Sequence, residues 1–96
     1  MKPTDITPKV KKAVWERDAH CCVICGAPVT WNSANAHVFV RRSHGGLGIP
    51  ENIATLCWGC HRAYDQGKDK ESNYIKSILH EYMHKQYPNL KIEELK

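Results

Sequence analysis

The chain has 96 residues, five of them cysteine, and a formal charge of +4 from 14 Lys+Arg set against 10 Asp+Glu. Such a length leaves room for one domain, and one too small to be comfortably stable on apolar burial alone, so a staple is expected. No stretch approaches a membrane span, MKPTDITPKV carries no apolar run of signal-peptide length, and the mild positive balance suits a polyanionic partner without identifying one.

Residues 1–6 are expected to form a loose tail. Thr7-Pro8 then supplies an N-cap and a proline at the first helical position. Val10, Ala13, Val14 and Arg17 recur at helical spacing, which predicts an amphipathic helix to about Asp18 with Val10 and Val14 on the core. Cys22-Val-Ile-Cys25-Gly26 makes a tight turn in which Gly26 is free to take positive φ. Ala36 to Arg41 is rich in β-branched and aromatic residues and predicts a strand, ended by the glycine-rich loop Ser43 to Pro50. A second strand, Ile53 to Leu56, leads into another cysteine pair, and a helix runs from about Trp58 to Gly67. The centre is therefore β-β-α. Tyr74, Ile75, Ile78, Leu79, Tyr82 and Met83 form the apolar stripe of a last helix, which Pro88 stops. Trp15 and Trp31 are assigned to the core first and to base stacking second, and His80 and His84, off the stripe, to solvent.

Cys22, Cys25, Cys57 and Cys60 form two C-x-x-C knuckles, in each of which the turn points both sulfurs inward, so that together they make a tetrahedral four-thiolate site suited to zinc. The reading as a cytoplasmic chain, in which thiols stay reduced, favours metal over disulfides. Thirty-one residues separate Cys25 from Cys57, which makes the β-hairpin an insertion between the knuckles. Cys21 is left over, because only Cys22 has the two-residue spacing to Cys25. A site closed by four thiolates stabilises the fold and has no vacant position for chemistry.

Between the knuckles lie Ala36-His37, Glu51-Asn52 and, after Cys60, His61. The stretch Cys22-x2-Cys25, Ala36-His37-Val-Phe, Arg42-Ser-His-Gly-Gly46, Glu51-Asn52-Ile-Ala-Thr-Leu-Cys57-x2-Cys60-His61 resembles the HNH endonucleases of the ββα-metal, or His-Me finger, superfamily, over residues 13 to about 67. The tyrosine-rich last helix and Tyr87-Pro88 resemble the extension of small phage and prophage HNH proteins. The resemblance implies an α+β fold: a zinc-stapled, treble-clef-like ββα core with flanking N- and C-terminal helices. It also implies one HNH nuclease domain over 1–96, with its core at about 13–67 and a helical extension at 71–88. The implied activity is metal-dependent cleavage of DNA, by nicking or through both strands, to 5′-phosphate and 3′-hydroxyl ends.

By the same resemblance His37 is the general base, His61 binds the catalytic cation, and Asn52 fixes the loop that aims His37. Alternative readings stand beside each: a packed strand histidine for His37, turn chemistry for Asn52, and a Cys3His zinc site for His61. The family often has Asp or His before the base, where this chain has Ala36, which cannot coordinate. Alignment on Gly45-Gly46 would instead move His37 to that ligand position and Val38 to the base position; His37 is preferred as base because no other mechanism is then left. Asp65, four residues after His61 and so on the same helical face, is a replacement ligand for Mg²⁺, Mn²⁺, Ni²⁺ or Zn²⁺, or else part of a solvated helix end. His44, in the glycine loop, is a weaker candidate. Arg41, Arg42, Arg62 and Lys68 are candidate phosphate contacts, with Lys9, Lys11 and Lys12 behind them. The expected partner is DNA, bound by a monomer or homodimer, with phage packaging proteins implied by resemblance only. The rival reading is a zinc-stapled DNA-binding module with weak or no cleavage, and a knuckle that binds only protein leaves His37, Asn52 and His61 unused.

Overall fold

The computed structural model describes residues 4–95, without the Asp69 side chain. Helix α1 spans Pro8–Arg17 and starts as its sequence dictates: the Thr7 hydroxyl accepts from the Val10 N–H at 3.2 Å, with proline at the first helical position. Val14 is fully buried, while Val10 is only half-buried. Strands β1 (Ala34–His37) and β2 (Ile53–Leu56) form a two-stranded antiparallel sheet in which Ala36 faces Ala54 and His37 faces Ile53. Helix α2 (Trp58–Gln66) packs on both strands and against helix α3 (Asp69–Gln86), and α1 packs on β2. Val38, Ile53, Leu56, Leu79 and Met83 fill the space between these elements. The mixed helix and sheet architecture is the α+β arrangement expected.

Several local expectations need correction. The first strand begins two residues earlier than expected and stops at His37, not Arg41, because the amides of Phe39 and Val40 donate to the Asn52 side chain instead of to a strand. Of the expected tail, residues 1–3 lie outside the described residues. Thr4 and Asp5 are not loose: Gly48 is buried beneath them, and a Cβ there would lie 2.2 Å from the Asp5 carbonyl oxygen. Tyr74, placed on the apolar stripe of α3, is 67% exposed, whereas Ile75, Leu79 and Met83 at i, i+4 and i+8 are buried. Helix α3 ends two residues before Pro88, since the residue preceding a proline avoids helical backbone. His80 is not solvated: its ring lies 4.5 Å from that of Phe39, and its Nε2 sits 3.3 Å from the Val38 carbonyl oxygen. A short 3-10 turn at Ile92–Leu95, absent from the expectations, buries Leu95, whose carbonyl accepts from the Leu47 amide at 2.7 Å.

One buried ion pair clamps the helices to the sheet. The Asp18 carboxylate accepts from Arg17 Nε at 2.7 Å, from the Tyr82 hydroxyl at 2.6 Å and from the Thr55 amide at 2.9 Å. Arg17 in turn donates to the carbonyls of Pro50 at 2.7 Å and Ile53 at 2.8 Å. The Asp18 side chain is wholly buried, so its removal leaves a guanidinium without its counter-charge. Asp18→Ala is expected to lower stability by about 3–5 kcal/mol in urea unfolding. A loss under ~1 kcal/mol would show that this pair is not the clamp.

Candidate active site and metal centre

The sulfurs of Cys22, Cys25, Cys57 and Cys60 all lie within 4.8 Å of one another, and this is the group of metal-ligating side chains that comes together among the described residues. Two local devices build it. Gly26, at φ +76°, closes the first knuckle, and its amide bonds the Cys22 carbonyl at 2.9 Å. Cys57 caps α2, its sulfur 3.4 Å from the Cys60 amide. The Val23 amide bonds the Thr55 carbonyl at 3.0 Å, tying the first knuckle to β2 beside the second.

The donor set suits a tetrahedral dication. Sulfurs at the corners of a site with ~2.3 Å metal–sulfur bonds stand about 3.8 Å apart, and Cys25 and Cys57 are separated by 3.8 Å. Burial and the crowding of its neighbours hold the Cys60 thiol far above the ordinary range. Burial opposes ionisation of Cys22 as well, yet backbone N–H groups aimed at its sulfur bring it down to about 7. Four thiolates so crowded need a cation to ionise together, so the four cysteines could hold one metal ion. Neither His61 nor Cys21 belongs to the group, which sets aside the Cys3His alternative. Cys21 instead forms a single bridge with Pro28.

Apart from the cysteine cluster, β1, α2 and the loop after β1 line an open cavity of about 230 Å³. Along β1 the Ala34 and Ala36 side chains are each 2% exposed while Asn35 and His37 are half-buried, and Asn35, Ala36 and His37 all line the cavity. His61, Tyr64 and Asp65, at i, i+3 and i+4, bring one face of α2 to the same cavity. His37 and His61 are thus brought together, with the buried Ala36 at the same cavity.

The His37 ring is held from outside the motif. Its Nε2 lies 3.2 Å from the carbonyl oxygen of Thr4. A carbonyl can only accept, so in the neutral ring Nε2 carries the proton and Nδ1 the free lone pair. Burial, aided by the Arg42 charge, lowers the His37 pKa below the ordinary imidazole value, with the Thr4 contact acting in the opposite sense. The Tyr64 hydroxyl donates to the His37 carbonyl at 3.1 Å and so pins the end of β1 to α2. Tyr64 and Thr4 were missed in the sequence. Tyr64 had a signal, its helical spacing from His61; Thr4 had none.

Asn52 is fully buried and spends its whole side chain on the loop: Oδ1 accepts from Phe39 and Val40 at 3.0 and 3.2 Å, and Nδ2 donates to the Val40 and Leu47 carbonyls, both at 3.0 Å. The basic candidates divide. Arg41 lines the cavity, its guanidinium 5.5 Å from the centre of the Tyr64 ring and 3.8 Å from Asp65. Arg42 lines it too, and is paired with Asp5. Arg62 lies outside this cavity, in a separate groove with Gln66 and Glu71, and exposed Lys68, at the N-cap position of α3, does not line the cavity either. His44 is exposed in the glycine loop.

Comparison with known proteins completes the description. Residues 22–67 match the family model described as HNH endonuclease, a span that holds both knuckles, His37, Asn52 and His61. Over 65 residues the chain is 32% identical to "Anaredoxin" of Nostoc sp. (strain PCC 7120 / SAG 25.82 / UTEX 2576), covering 65% of this chain and 79% of that protein. No solved structure matches.

Proposed function

The chain belongs to the HNH endonuclease family, and from that premise we propose that it is a metal-dependent endonuclease that cuts DNA to leave 5′-phosphate and 3′-hydroxyl ends. The observation that carries this reading is the meeting of His37 and His61 at one cavity, with Arg41 and Arg42 at its edge. His37 Nδ1 takes a proton from the attacking water, and a neutral ring at pH 7 suits that task. His61 and Asp65, one turn apart on α2, are the side chains that would hold a divalent ion, with open positions filled by water. Bound there, such an ion would supply positive charge against the scissile phosphate and the leaving oxygen. Arg41 would release Asp65, and Arg42 would release Asp5, in exchange for phosphate oxygens. Asn52 acts as a positioning residue through the loop that follows His37.

The four-cysteine ion is read as structural zinc, and the domain as one unit with α3 as a helical extension. The described residues contain no helix long and apolar enough to cross a membrane; a cytoplasmic place and phage packaging partners belong to the proposal. The rival reading, a DNA-binding module with weak or no cleavage, keeps its support from Ala36, which leaves the cation one protein ligand fewer.

Incubating the zinc-loaded protein with supercoiled plasmid and Mg²⁺, Mn²⁺ or Ni²⁺ separates the two: nicked circles with at least one ion are expected, and none with any ion favours the module. The pH dependence adds a check. Because burial lowers the His37 pKa, the base is lost only as the pH falls through a value below about 6.5. Nicking is therefore expected to be level from pH 7 upward through pH 8 and to fall on an acid limb centred below 6.5. A limb centred above 7 would point to another base.

A further inference from the structure

Two tryptophans stand on the surface and take no part in the mechanism above. Trp58 is 61% exposed and Trp31 is 40% exposed, so neither belongs to the core, to which Trp31 was assigned from sequence. Trp58 opens α2, three residues before His61, and the two rings lie 6.0 Å apart at 71°. Its indole N–H donates to the Asn32 carbonyl at 2.7 Å, which satisfies the polar end and fixes the ring while leaving most of it to solvent. Trp31, the neighbour of Asn32, stands edge-on to Trp15 at 5.8 Å with the Lys11 ammonium 5.6 Å above its ring.

We propose that Trp58 is a base-stacking platform for an unpaired stretch of the strand being cut. This rests on the nuclease reading and gives it a substrate class: DNA whose bases near the scissile phosphate are single-stranded or splayed. Three observations point there and not to a protein partner. The platform is continuous with the proposed phosphate cavity through His61. A basic group stands near it: the Lys11 ammonium donates to the Ser33 carbonyl at 2.8 Å, one residue from the Asn32 carbonyl that holds the Trp58 indole, in a chain of charge +4. The Trp58 ring is pinned by the hydrogen bond to Asn32, so a base stacks on it with little further ordering, and stacking tolerates any base because every base has a π face. In a closed duplex the faces are covered by neighbouring bases, so the platform discriminates in favour of open strands.

The test uses zinc-loaded His37→Ala protein, so that binding is read without cleavage, and two fluorescent probes, a thymidine 12-mer and a 12-base-pair duplex. Adding Trp58→Leu, which keeps an apolar side chain but no π face, is expected to weaken 12-mer binding on the order of 10- to 100-fold and duplex binding less than about 3-fold. Trp58→Phe keeps a stacking face and is expected to stay within about 3-fold on both probes. Because no phosphate contact is removed, the salt dependence of 12-mer binding should not change. Equal affinity of Trp58→Leu and its parent for the 12-mer, or an equal loss on both probes, overturns the proposal. Should Trp58→Leu fail to hold zinc, a Trp15→Phe/Trp31→Phe protein with Trp58 as its sole tryptophan decides: quenching by the 12-mer is expected, and unchanged emission at saturation overturns the platform. Plasmid nicking by the unmodified protein with no Trp58 effect sinks the platform alone, and a Trp58 effect without nicking sinks the nuclease reading alone.

Discussion

His37→Ala is expected to reduce plasmid nicking on the order of 10² to 10⁴-fold, the range set by removal of a positioned general base, with zinc content and melting temperature close to the parent's. The separation of the two effects follows from the site. The His37 side chain is half-buried on the cavity face of β1, and its one recorded hydrogen bond is to the Thr4 carbonyl, so truncation opens no cavity in the core. What disappears is the Nδ1 lone pair, while His61, the other imidazole at the cavity, is taken up by the cation in this reading. Because the loss lies in proton transfer, DNA affinity should be nearly unchanged, so the defect falls in kcat and not in KM. Equal nicking by the variant would remove His37 from the reaction. A loss that another divalent ion or a higher metal concentration restores would instead favour the alignment that makes His37 a metal ligand.

Extraction of the cysteine-bound metal is expected to unfold the chain. Structural zinc contributes apparent binding energies of about 10–16 kcal/mol at neutral pH in small zinc-finger peptides, as large as or larger than the whole stability of an ordinary domain. Here the two knuckles belong to separate elements, one after α1 and one at the start of α2, and all five cysteines are free thiols. Without the ion the crowded thiols lose their common partner, and those that remain ionised repel. Excess chelator at pH 7 should therefore abolish the near-ultraviolet circular dichroism of the buried aromatics, and stoichiometric zinc should restore it. Cys57→Ser is expected to behave like the chelated protein, whereas Cys21→Ser should keep one ion per chain because Cys21 is outside the cluster. Cooperative melting of a metal-free sample would show that the core of Val14, Ile53, Leu56, Leu79 and Met83 suffices alone. Acid should release the metal for the same reason: the Cys60 thiol, held high by burial and its neighbours, recaptures its proton readily as pH falls.

Much of this molecule could be read from local signals. The Thr7-Pro8 cap, the Gly26 turn, the two knuckles and the i, i+4, i+8 stripe of α3 are decided by residues within a turn or two of one another. Physics at that range leaves few alternatives, and each of these features is present in the fold. The family is legible for the same reason, since its motif residues sit close to the knuckles. Facing and docking were not legible. That Asn52 ends β1 by taking the amides of Phe39 and Val40, that Asn35, Ala36 and His37 line one cavity with His61, and that Arg62 lies outside it all depend on the β1–β2 register and on how α2 packs across it. The Thr4 carbonyl against His37 closes a contact over thirty-three positions of chain, and no local propensity encodes such a contact. The sequence by itself determined which residues could do the chemistry. Only the tertiary structure decided which of them face one another, because facing is set by strand pairing and packing between elements distant in the chain.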